Sequence, residues 1–181
     1  MEKKELQLMF KQRGLNCIIR FNSIIQLKDG KLLFMHNEFD NNIYIYNEKT
    51  FQKFFDINLY QFIEAFEKEQ KELKTDNKDT FNCEENYNKT IKELRSGFIL
   101  IGLFKYLIEL KLDENTYDCR IIKELDDTIL NINELPDKRI IIITNEKIMI
   151  FKRENQDYIM KEQYQINENW KMIKSGEGFK Q

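Results

Sequence analysis

The residues that could do chemistry are sparse in these 181 positions. His36 is the only histidine, so any histidine-dependent nucleophile or proton relay would have to run through it. It follows Leu32-Leu33-Phe34-Met35, the second strand of a hairpin by pattern, where a surface or half-buried place is expected rather than one beside a base. Cys17, Cys83 and Cys119 are far apart. A zinc site would have to combine them with His36, and no two of these share the short spacing of a zinc knuckle. Gly176-Glu177-Gly178 has the spacing of a phosphate loop, but no helical stretch follows it to present amides to a phosphate. Asp126-Asp127 and Glu84-Glu85 are adjacent pairs. On a strand they would point to opposite faces, and in a loop they are solvated, whereas acid–base carboxylates oppose each other across a cleft. No catalytic residue, metal or cofactor is expected, and the chain is read as a non-enzyme.

Composition narrows the partners. Hydrophobic residues make up 41% and charged residues 33%, with 14 Phe and 8 Tyr, enough apolar area to offset chain entropy in one folded unit. The 29 basic and 31 acidic side chains are interspersed and leave a net charge of −2. A nucleic-acid binder carries a basic stripe that displaces counterions; none is present, so nucleic acid is not an expected partner. The apolar run Leu6 to Phe10 is too short for a signal peptide, and Phe98 to Phe104 has the length of a strand, so no membrane association is expected. An odd number of scattered cysteines fits free thiols in a reducing compartment, and a cytoplasmic location is expected.

These elements recur. Ser23-Ile-Ile-Gln-Leu-Lys-Asp-Gly-Lys-Leu-Leu-Phe34 reads as strand, turn, strand, and the pattern returns at Thr90–Ile101 and Asn131–Ile142 and begins again at Trp170–Phe179. The anchors Ile24, Ile91, Ile132 and Trp170 are spaced by 67, 41 and 38 residues, the first interval holding an insertion of about 26 residues. Leu27, Leu94, Leu135 and Ile173 each stand three residues after their anchor. The turns are Asp29-Gly30, Ser96-Gly97, Asp137-Lys138 and Ser175-Gly176; Gly supplies the positive φ of a tight hairpin, and Lys138 departs from this beside the turn-former Pro136. A third strand follows at Ile43-x-Ile45-Tyr46 and, 105 residues on, at Ile148-x-Ile150-Phe151, with Leu107–Leu112 in the middle copy. A fourth opens on an aromatic, at Phe51, Tyr117 and Tyr158; with Trp170 these aromatics either form a recognition surface or, as their recurrence favours, pack between units.

Four short strands per unit at a period near 40 make one blade of a radial sheet. The run Asp40-x-x-Ile43-x-Ile45-Tyr46 after an Asp29-Gly30 hairpin resembles the repeats of divergent WD-type β-propellers over residues 15–180, apart from the insertion. The resemblance implies that Asp40 and Asn145 steady the hairpin turns. No Gly-His pair precedes a copy, and the Trp-Asp position reads Tyr46-Asn47 and Phe151-Lys152. The expected fold is all-β: antiparallel four-stranded blades of a partial or small propeller with one inserted amphipathic helix, or else a plain antiparallel meander. One repeat domain spans 1–181, with units at about 15–58, 90–127 and 128–166, a partial unit at 167–181 and a helix-loop insertion at 59–89.

Within the insertion, Leu59, Phe62, Ile63, Phe66 and Leu73 fall on one helical stripe, with Asn58 as N-cap and Glu64–Lys68 and Glu67–Lys71 as i, i+4 pairs. Residues 75–89 read as a polar loop. The helix either covers an edge of its own sheet or docks a partner, and in the second case Phe62 and Phe66 are the candidate partner-binding residues. A closed ring would need Leu6–Phe10 and Leu15–Phe21 to complete the last blade; an open array is the expectation. The resemblance implies a non-catalytic protein–protein interaction module, a scaffold or adaptor. The alternatives are a small-molecule-binding or enzymatic propeller fragment, and a truncated product without independent function.

Overall fold

The computed structural model describes residues 21–36, 42–50, 52–73 and 89–166. Cys17, Asp40, Phe51, Cys83, Glu84-Glu85, Trp170 and Gly176–Gly178 lie outside these residues. Among the described residues, twelve strands form three antiparallel four-stranded sheets, each a meander in chain order. The first holds β1 (Phe21–Gln26), β2 (Lys31–His36), β3 (Asn42–Asn47) and β4 (Lys53–Asn58). The second holds β5 (Lys89–Glu93), β6 (Ile99–Leu103), β7 (Tyr106–Leu112) and β8 (Tyr117–Glu124). The third holds β9 (Ile129–Glu134), β10 (Ile140–Thr144), β11 (Lys147–Glu154) and β12 (Asp157–Gln165). Helix α1 (Leu59–Leu73) leaves β4 without a break.

The first strands are neighbours, β1 beside β5 and β5 beside β9, so the sheets fan out from a common line and stack face to face. Among the described residues the fold is propeller-like and all-β apart from α1. The period-2 alternation of each strand decides which side chains go where. In β6, Ile99, Ile101 and Leu103 join the core shared with the first sheet, while Leu100 joins the core shared with the third. Both faces of β6 are therefore buried, and this strand reads as a continuous apolar run. The face that each sheet turns to the next one in sequence is called its forward face below.

The hairpin turns repeat in atomic detail. The Leu27 amide donates to the Lys31 carbonyl and the Gly30 amide to the Leu27 carbonyl. The same pair of bonds occurs at Leu94, Phe98 and Gly97, and again at Leu135, Arg139 and Lys138. The loop is three residues long, a type I turn closed by a left-handed residue, one residue longer than the two-residue hairpin expected from Asp-Gly. Gly30 and Gly97 have φ of 81° and 85°, and Lys138 takes the same conformation at 68°. Pro136 fits because the second residue of a type I turn has the φ that proline enforces.

Gly102 marks a close approach of two sheets. A Cβ there would lie 2.5 Å from Cγ2 of Ile129 and 2.7 Å from Cγ2 of Thr90, so only glycine lets β9 come that near β6.

Candidate interaction surface

Two polar seams tie the sheets together at the hairpin end. The Lys28 amide donates to Glu93 Oε2 at 3.0 Å and Lys28 Nζ to the Leu94 carbonyl at 2.6 Å. One unit on, the Arg95 amide donates to Glu134 Oε2 at 2.7 Å and Arg95 Nη1 to the Pro136 carbonyl at 2.7 Å. The residue after the hairpin leucine of one unit thus clamps the glutamate before the hairpin leucine of the next.

A second set of contacts lies deeper. Glu109 on β7 is only 4% exposed, at a forward-face position where the other sheets carry Ile45 and Ile150. Arg120 reaches its Oε1 from Nε at 3.1 Å and Nη2 at 2.9 Å. Tyr158 donates its hydroxyl to Oε2 at 2.6 Å, and Arg153 Nη2 lies 3.3 Å from the same oxygen. The Arg153 guanidinium also covers the Phe98 ring at 3.8 Å. Burial, together with the hydrogen bond to Glu109, pushes the Tyr158 phenol well above its usual range, so it remains a donor. Three donors from two sheets converge on one carboxylate, which locks the second sheet to the third.

Asp127 holds the β10–β11 turn. It accepts from the Asn145 side chain at 3.0 Å, the Glu146 amide at 2.9 Å and the Thr128 amide at 2.6 Å. Burial works to raise its carboxyl, but these hydrogen bonds outweigh it and keep the pKa below the usual value. Its neighbour Asp126 pairs with Lys147. Asn145 does sit in a hairpin turn, as a donor to Asp127.

Helix α1 closes the outer side of the seam between the first and second sheets. Asn58 Oδ1 accepts from the Tyr60 amide at 3.0 Å, the expected N-cap. Leu59 and Ile63 are buried, and Phe62 and Phe66 are half-buried against the same core. Phe66 meets Tyr106 edge-to-face at 6.4 Å between ring centres, and the Tyr106 hydroxyl donates to Glu67 at 2.5 Å. Burial and that hydrogen bond raise the Tyr106 phenol far above its usual range. The candidate residues thus spend part of their surface on the helix's own sheets and keep a solvent-facing remainder beside exposed Gln61 and Ala65. Side chains beyond Gln70 on α1, Leu73 among them, lie outside the description, as does that of His36.

Of the aromatics that open the fourth strands, Tyr158 is buried between sheets, and Tyr117 packs edge-on against Phe55 of the first sheet at 5.6 Å while staying 39% exposed. The Cys119 thiol is pushed up to about 12 by burial, with Asp118 adding to it, so it is no thiolate at neutral pH. Among the described residues no cluster of His, Cys, Asp and Glu has the geometry to hold a metal ion, and no helix is long and apolar enough to cross a membrane.

What faces solvent has a pattern. The exposed large hydrophobics among the described residues are Phe54, Tyr117, Ile159, Met160 and Tyr164. All five lie on β4, β8 or β12, the outermost strand of each sheet. Sequence reasoning missed the Glu109 lock and, apart from Tyr117, the residues of this rim. The signal for the lock was present: a single acid inside the run Tyr106-Leu-Ile-Glu-Leu110, at a repeat position that is otherwise isoleucine.

No protein-family model matches the chain, and no curated protein matches it. Among solved structures, the chain is similar to the WD40 domain of SCAP from fission yeast, at 9% identity and a TM-score of 0.46, over 84% of this chain and 33% of that one. It is also similar to a protein of unknown function from Bacteroides caccae, at 11% identity and a TM-score of 0.37, over 84% of this chain and 62% of that one. The chain thus spans less than two thirds of either neighbour. Likenesses this distant add no weight to the fold assignment, which rests on the three stacked meanders themselves.

Proposed function

We propose that the protein is a non-catalytic protein–protein interaction module of propeller type, acting as a scaffold or adaptor in the cytoplasm. The observation that carries this is the rim. Every exposed large apolar side chain among the described residues lies on an outermost strand, where unpaired backbone groups are also available to a partner. Aromatic and aliphatic anchors of this kind dominate protein interfaces. The partner surface also takes in the exposed parts of Phe62 and Phe66 on α1, the helix that packs against β8. The deep polar groups hold the sheets to one another: Glu109, Arg120, Arg153 and Tyr158 are spent on the lock between the second and third sheets.

Affinity capture from the native cell tests the proposal. The expected result is a protein partner retained reproducibly by the chain and lost on Ile159→Ser or Met160→Ser, with the unfolding temperature unchanged. No reproducible partner, or one whose retention ignores both substitutions, would overturn it.

A further inference from the structure

We propose that residues 167–181 of this same chain cover the forward face of the third sheet, with Trp170 seated on Ile141, Ile143, Ile148 and Ile150. In the first sheet the forward face is Leu33, Met35, Ile43 and Ile45, all 0% exposed. In the second it is Leu100, Gly102, Leu107 and Glu109, of which the most exposed side chain is Glu109 at 4%. The register Ile141↔Ile150 and Ile143↔Ile148 puts four isoleucines on the equivalent face of the third sheet, and all four are only half-buried. Tyr164, paired with Ile148, extends the patch and is 53% exposed.

The first strand of the following unit covers the two earlier faces: Ile91 joins the core of the first, and Ile129 and Ile132 that of the second. Trp170 stands where Ile91 and Ile132 stand in their units, 38 residues beyond Ile132. Covalent continuity delivers it, since β12 ends at Gln165.

Two details of the third sheet fit this occupant. The clamp at the earlier seams needs an amide after the hairpin leucine and a glutamate in the next unit. Pro136 lacks the amide, and Met172 stands where the glutamate would be, so neither half is left unpaired. At the second sheet Gly102 makes room for Ile129; in the third, Ile143 takes the glycine's place, and the residue three before Trp170 is the smaller Asn167. A second copy is the weaker occupant. The face it would offer, the back of the first sheet, has Leu32 and Phe34 already covered at 1% and 3% exposure.

Trp170 is the only tryptophan, which makes the test direct in the unaltered full chain. Isoleucine-methyl-labelled protein should show nuclear Overhauser contacts from the indole to the Ile148 and Ile150 methyls, assigned through Ile148→Val and Ile150→Val. Indole emission should be short-wavelength, shielded from acrylamide and unchanged on dilution. Absence of indole contacts to these isoleucines would overturn the proposal. So would contacts and shielding that fade together on dilution, the mark of a second copy.

Discussion

Glu109 occupies a position that the repeat fills with Ile45 in the first sheet and Ile150 in the third. A carboxylate there survives burial because Arg120, Arg153 and Tyr158 all address it. Removing one member of such a set leaves the others desolvated without their partner, and that loss exceeds the net worth of the intact set. Glu109→Ala should destabilise the protein by about 2–4 kcal/mol, below the range for fully buried pairs because both guanidinia reach solvent. Urea unfolding checks this, with Glu109→Gln losing less because the amide oxygen still accepts from Tyr158. A loss within experimental error for Glu109→Ala would remove the lock from the account.

At the scale of elements, the strands and α1 were legible because their periods differ: alternation through Ile43, Ile45 and Ile148, Ile150, against the helical stripe of Leu59, Phe62, Ile63 and Phe66. The turns were legible as positions but not as types, since Asp29-Gly30 fits a two-residue loop as well as the three-residue one that formed. Lys138 shows the same limit. It adopts φ 68° where the other units use glycine, because the backbone bonds that close the hairpin leave it no alternative. A left-handed lysine costs roughly 1–2 kcal/mol, of which the entropy of a glycine would give back about 0.5–1 kcal/mol. Lys138→Gly should therefore stabilise the protein by about 0.5–1 kcal/mol, read as a higher urea midpoint at constant slope. A lower midpoint would mean that the lysine side chain contributes more than its backbone costs.

At the scale of the whole molecule, the three described sheets and their order were legible in the sequence period. That period could not give the contacts between them. The Glu109 lock joins residues on β7, β8, β11 and β12, up to 49 positions apart, and which acid meets which guanidinium depends on how the sheets stack. The exposed rim was hidden for the same reason: Phe54 and Tyr164 look like core residues until the strand that carries them proves to be outermost. The division of α1 between covering its own sheets and offering Phe62 and Phe66 outward was likewise open in the sequence, because a single apolar stripe serves either end.

The central claim is a stack of three sheets in which the middle one is buried on both faces. Residue-resolved hydrogen exchange of the native protein tests it most directly. The account predicts the slowest amides in β6 and β7, where all residues of Ile99–Leu103 and the run Tyr106–Leu110 are buried, and the fastest sheet amides in β12. Exchange in β6 and β7 as rapid as in β12 would contradict the stack, and with it the seams and the rim.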